Sequence, residues 1–270
     1  MSPDKGDSMD LGIAGKCALV TASSKGLGRA CAEALAAEGC RVVVSSRGGA
    51  ALEETAAAIR KAGAEVEAIV ADVSKSDDLE RLVERAAERF GGVDILVTNT
   101  GGPVPGTFTT TEEPAWVQGF ENTLMNVVRL ARHCLPHMRS NKWGRIVNIT
   151  SVSVKQPIAN LLISNSLRAA VHGLSKTMAT EFAGDGVLVN CVCPGLHLTD
   201  RLRELAEVRG EANGRTAEKE LEVMTGSVPV GHLGRPGDFA SVVAFLCSER
   251  AGFVTGTSVL VDGGATLGVT

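Results

Sequence analysis

The stretch densest in chemistry is Thr21-Ala22-Ser23-Ser24-Lys25-Gly26-Leu27-Gly28. Its small residues and glycines let a backbone come close to a ligand, and a lysine stands among them. If a helix starts here, its free N–H groups and the positive end of its dipole attract a phosphate. Gly26-x-Gly28 alone also describes a tight turn, so the flanking sequence decides. Before it, Cys17 to Val20 is a non-alternating apolar run, the pattern of a strand buried on both faces. After it, Leu27, Ala30, Cys31, Ala34 and Leu35 recur at helical spacing until Gly39, and Cys40 to Ser45 is a second apolar run. Strand, glycine loop, helix and strand together make a dinucleotide site. Beyond the second strand come Ser45, Ser46 and Arg47, with no acid to select the free 2′-hydroxyl of NAD. Arg47 and Lys25 together favour NADP(H) over NAD(H).

Other reactive residue types carry less. His133 and His137 have the i, i+4 spacing of a metal pair, but Pro136 lies between them and no acidic ligand is adjacent, so they read as helix surface. The seven cysteines form no C-x-x-C pair and fall mostly on apolar runs, as core residues in a reducing cytoplasm would. No metal site is expected. Ser151 and His197 suggest a nucleophilic serine, yet G-x-S-x-G is missing.

The elements that must position these residues alternate. A helix around Leu52, Ala56 and Ile59 leads to a strand Val66–Val70, closed by Asp72-Val73, where an adenine ring would lie. An amphipathic helix through Leu79, Leu82, Val83, Ala86 and Phe90 stops at Gly91-Gly92. Strand Val93–Thr98 runs into Asn99-Thr100-Gly101-Gly102-Pro103. A long helix over about Pro114–Arg139, a strand Arg145–Ile149, a helix Ala159–Phe182 and a strand Leu188–Val192 follow, and Pro194-Gly195 breaks the chain. A charged helical pair at about 200–225 reads as a solvated substrate lid, before a helix Pro236–Cys247 and a last strand Ser258–Val261. Strict alternation predicts an α/β, Rossmann-type doubly wound parallel sheet with helices on both faces. Its ligands bind beyond the strands' carboxyl ends. The 270 residues suit one such domain over residues 13–270, behind a flexible polar tail at 1–12. A net charge of −4 argues against nucleic-acid and anionic-membrane partners, and no apolar run spans a bilayer.

From about Gly15 to Gly264 the chain resembles the short-chain dehydrogenase/reductase family, most closely its 3-oxoacyl-(acyl-carrier-protein) reductase branch. Thr21 to Gly28 looks like the family's TGxxxGxG, with Ala22 replacing the first glycine. Asn99-Thr100-Gly101-Gly102 resembles NNAG, Pro194-Gly195 with Thr199 the nicotinamide loop, and Asp262-Gly263-Gly264 the closing turn. The resemblance implies that Thr21, Ser23, Ser24, Lys25, Gly26, Leu27, Gly28, Arg47, Asp72, Val73, Asn99, Thr100, Gly101, Pro194, Gly195 and Thr199 bind the cofactor. It also implies a homotetramer or homodimer built on the two long helices.

The family's catalytic tetrad is altered. Ser151 holds the serine position after Asn148-Ile149-Thr150, but Ser164 stands where Tyr belongs and Arg168 where Lys belongs in YxxxK. Thr123 falls at the helix asparagine, one residue from Asn122. No realignment restores the tyrosine, because the chain contains none. Serine is a shorter and far weaker acid than tyrosine, and arginine keeps a charge for the ribose diol but does not relay a proton. His197, two residues past Gly195, is a candidate replacement donor. His172, a turn beyond Arg168, is expected to face a neighbouring subunit. The resulting expectation is an NADP(H)-dependent oxidoreductase acting on a small carbonyl or hydroxyl substrate with a non-standard site. The alternative is a cofactor-binding protein of the same fold with a non-redox or non-catalytic role.

Overall fold

A computed structural model describes residues 9–268. Most of the tail expected at 1–12 therefore lies outside the described residues. Seven parallel strands, β1 (Cys17–Val20), β2 (Arg41–Ser46), β3 (Val66–Val70), β4 (Ile95–Thr98), β5 (Gly144–Ile149), β6 (Val187–Pro194) and β7 (Ser258–Val261), lie in the order β3-β2-β1-β4-β5-β6-β7. The order reverses between β1 and β4, and the ligand crevice of a doubly wound sheet opens at that point.

Alternation along each strand splits the core between two faces. Ala18, Val20, Val42, Val44, Ile95 and Val97 pack under α1 (Gly26–Ala37), α2 (Gly49–Lys61) and α9 (Pro236–Leu246). Cys17, Leu19, Val43, Leu96 and Ile146 pack under α3 (Ser76–Phe90), α5 (Asn126–Ser140) and α6 (Leu162–Phe182). All seven cysteines are free and buried, and burial pushes their thiols up, so they behave as core residues. No helix among the described residues is long and apolar enough to cross a membrane.

The long helix expected from Pro114 is interrupted. α4 (Glu113–Phe120) passes into a π-helical turn, Glu121–Met125, before α5 begins. Such turns rotate the following residues out of α register and recur at functional sites. α5 then runs through Pro136 without breaking. α6 starts at Leu162 rather than Ala159, because Asn160 has φ +61° and the Asn165 amide holds both backbone groups of Ile158. β4 opens at Ile95 rather than Val93; the Asp94 carboxylate accepts the Cys17 N–H at 2.9 Å.

The lid has its own small core. α7 (Asp200–Ala212) and α8 (Ala217–Gly226) bury Leu202, Ala206 and Met224 against each other. Glu220, expected on a solvated face, is 5% exposed and meets Arg215 at 3.3 Å.

Candidate cofactor and reaction site

At the start of α1 the chain leaves backbone N–H groups free. Lys25 is extended, no side chain caps the helix, and no acid stands in its first turn. Gly28 is fixed by close approach: a Cβ there would lie 2.4 Å from the Ala22 carbonyl and 2.7 Å from Asn99 Nδ2. That amide donates to Ala22 O at 3.1 Å, so Asn99 ties the end of β4 to the phosphate loop. Ala22 itself sits at φ +45°, the left-handed region where the family has glycine.

The loop's hydroxyls divide by role. Thr21 is buried and exchanges hydrogen bonds with the backbone of Asn99, both at 2.8 Å. Ser23 is buried, donating to Val20 O and accepting from Ser45 N. Both expected cofactor ligands thus spend their side chains shaping the loop. Ser24 is half-buried, and Lys25 and Arg47 are exposed. Asp72 is committed to its own turn, its Oδ1 accepting from Ser74 N and Oγ, with Val73 half-buried beside it. Pro194-Gly195 ends β6, and Thr199 caps α7 by accepting the Leu202 N–H. The Thr199 methyl faces Gly26, 3.7 Å from where a Cβ would stand. Nicotinamide loop and phosphate loop are therefore neighbours, and Thr100 and Gly101 follow Asn99 at the same rim.

The reaction end lies beyond β5. Ser151 is extended, and its Oγ accepts from Ser153 N at 3.0 Å, which leaves its own proton free. Ser164 and Arg168, four residues apart on one face of α6, are each 8% exposed. The Ser164 hydroxyl makes no hydrogen bond among the described residues. Arg168 Nη1 donates to the carbonyls of Ile149 (3.1 Å) and Thr150 (2.8 Å). No carboxylate pairs with it among the described residues, and burial pushes its guanidinium down to about 10, still protonated at neutral pH. Arg168 is thus held by the end of β5.

Beside it is a cavity lined by Thr98, Asn99, Thr123, Asn126 and Thr150, in which Thr123 Oγ1 and Asn126 Oδ1 are buried without partners among the described residues. Asn126 Nδ2 donates to the carbonyl of Asn122, so its amide oxygen is the group left over. The sequence reading missed Asn126. Its signal was a polar pair, Thr123 and Asn126, at i, i+3 beside the apolar stripe of α5. Underneath, Thr98, Asn148 and Ser175 form a buried hydrogen-bonded chain that stiffens the ends of β4 and β5.

The histidines depart from expectation. His197 is 5% exposed, edge-on to Phe239 at 5.4 Å, with Nδ1 against Gly195 O at 3.2 Å. Burial lowers its pKa, and it packs toward α9. His172, expected to face another subunit, is engaged within the chain: Nε2 meets Thr150 Oγ1 at 2.9 Å and Nδ1 meets Ser258 Oγ at 2.8 Å. His137 pairs with Asp94 at 3.3 Å. No metal-ligating cluster occurs among the described residues.

Comparison with known proteins gives this geometry a context. Residues 21–266 match the family described as Enoyl-(Acyl carrier protein) reductase. Human dehydrogenase/reductase SDR family member 4 is 36% identical over 253 residues, 93% of this chain and 88% of that protein. The 3-oxoacyl-(acyl-carrier-protein) reductase of Haemophilus influenzae is 35% identical over 254 residues, 94% of this chain and 99% of that protein. L-sorbose reductase from Gluconobacter frateurii, solved with NADPH and L-sorbose, superposes with TM-score 0.93 at 35% identity, covering 97% of this chain and all of the other. With the seven-stranded parallel sheet and the glycine loop, these likenesses show that the chain belongs to the short-chain dehydrogenase/reductase family.

Proposed function

We propose that the protein is an NADP(H)-dependent oxidoreductase that interconverts a carbonyl and a hydroxyl on a small molecule, through a site without the family's tyrosine. The observation that carries this reading is the uncapped, acid-free start of α1 between Lys25 and Asn99, with Arg47 and no acid after β2. These donors fit a phosphate-rich dinucleotide, and the extra cations fit a 2′-phosphate. When bound, NADP(H) supplies or accepts the hydride.

The chain's own residues position and polarise. Ser151 offers its free proton to the substrate oxygen. Arg168, buried and charged, stabilises negative charge developing beside the end of β5, in surroundings where water screens little. Ser164 leaves room where the tyrosine ring would stand, so the proton comes from its hydroxyl or from a water. His197, packed against Phe239, is left out of the chemistry. Loss of a positioned acid lowers the rate by roughly 10²–10⁴, so slow turnover is expected.

The test is oxidation of NADPH followed by absorbance with a panel of ketones, ketoses and 3-oxoacyl thioesters, and its reverse with the matching alcohols. Turnover that falls in Ser151→Ala supports the proposal. Tight NADPH binding without turnover on any substrate would favour the second reading, a cofactor-binding protein with a non-redox role, for which Ser164 at the tyrosine position is the supporting observation. A tetramer or dimer through α5 and α6 belongs to the same proposal by family likeness, and a cytoplasmic location by the seven free cysteines.

A further inference from the structure

Lys25 has a competitor for the phosphate. Its Nζ lies 3.7 Å from Glu204 Oε1, and Glu204 Oε2 lies 3.6 Å from Arg201 Nη1. Glu204 belongs to the lid, on the outward face of α7, while Leu202 and Ala206 on the opposite face are buried in the lid core. Its position is set by the cap: Thr199 holds the first turn of α7, and its methyl lies 3.7 Å from where a Cβ on Gly26 of the phosphate loop would stand. The lid therefore presents a carboxylate to the lysine that stands at the start of α1.

We infer that Glu204 is a specificity-determining residue of the cofactor site: it holds Lys25 when no phosphate is there and opposes a 2′-phosphate when one arrives. The inference rests on the NADP(H) reading. A phosphate dianion near Lys25 brings negative charge toward Glu204, and the two compete for one ammonium. Arg201, already paired with Glu204, keeps the displaced carboxylate, so cofactor binding breaks the lysine–glutamate contact and leaves the arginine–glutamate one on the same helix. NADH carries no 2′-phosphate and leaves the lysine–glutamate contact undisturbed. Glu204 thus lowers affinity for NADPH selectively and couples lid position to the phosphate.

The experiment is a fluorescence titration of the full chain with NADPH and NADH, at low and high salt, for wild type, Glu204→Gln, Lys25→Met and the double variant. Both partners are more than half exposed, so the effect is modest: Glu204→Gln should tighten NADPH about two- to five-fold and leave NADH unchanged. The gain should vanish in the Lys25→Met background and shrink at high salt. Glu207→Gln, an exposed neutralisation on the same helix, should do nothing. An equal gain for both cofactors, or a gain surviving Lys25→Met, would overturn the inference. So would an unchanged NADPH affinity in Glu204→Gln while wild type still prefers NADPH, which leaves the NADP(H) reading standing. A wild type with no preference for NADPH would remove that reading and this one with it.

Discussion

Arg168 and Thr150 meet at 2.8 Å, guanidinium Nη1 against backbone carbonyl, where β5 hands the chain to Ser151. A second bond from the same nitrogen to Ile149 O makes the arginine a clamp between α6 and the strand that carries the candidate reacting serine. Its charge and its hold on the backbone are separable properties.

Arg168→Met should remove both. It leaves two buried carbonyls unpaired, and an unsatisfied buried acceptor costs about 1–3 kcal/mol. A fall in unfolding free energy of about 2–4 kcal/mol in urea is expected, with a smaller loss for Arg168→Lys. Unchanged stability in Arg168→Met would show that the clamp holds nothing.

Restoring the family residues should restore the chemistry. Ser164→Tyr with Arg168→Lys supplies a positioned acid and a lysine beside it, and ketone reduction with NADPH should rise about 10²–10⁴-fold over wild type. No gain, with NADPH still bound, would mean that the pocket as well as the proton source has diverged.

Gly28 and Ala22 should respond in opposite directions. Gly28→Ala drives a methyl into the Ala22 carbonyl and the Asn99 amide, and NADPH binding should be lost with about 1–3 kcal/mol of stability. Ala22→Gly relieves a left-handed backbone at φ +45°, and a gain of about 0.5–1.5 kcal/mol by thermal unfolding is expected. A destabilised Ala22→Gly would contradict the strain.

The sheet was legible because buried parallel strands read as continuous apolar runs, and β1, buried along its whole length, lies where such a run does; the half-buried edge strands β3 and β7 also fall at the expected bounds. The phosphate loop was legible because backbone chemistry needs glycine. Features that depend on which way a helix is turned were not. The π turn at Glu121–Met125 stands immediately before Asn126, which lines the cavity beside Arg168; the Thr123–Asn126 spacing marks a polar pair, but nothing in it marks the π turn. His172 was misplaced because its partners, Thr150 and Ser258, come from elements distant in sequence. Thr21 and Ser23 sit in the loop but point into it.

His172 should make stability depend on acid. Burial, followed by the charge of Lys155, lowers its pKa from the ordinary 6.5 to about 4. Between those values the unfolded chain binds a proton that the folded chain excludes, so this contribution is complete above about 6.5 and is lost as pH falls toward 4. The ring is only half-buried, so the loss is on the order of 1 kcal/mol. Urea unfolding from pH 7 to pH 4 should show a shallower fall in His172→Gln than in wild type; parallel profiles would contradict the assignment.

The most direct measurement is calorimetric titration of the wild-type protein with NADPH and with NADH under identical salt. A 2′-phosphate held by Lys25 and Arg47 through charge-assisted hydrogen bonds should make NADPH bind about 10- to 100-fold more tightly. Equal affinities would contradict the role given to those two cations, and no saturable binding of either nucleotide would contradict the redox reading itself.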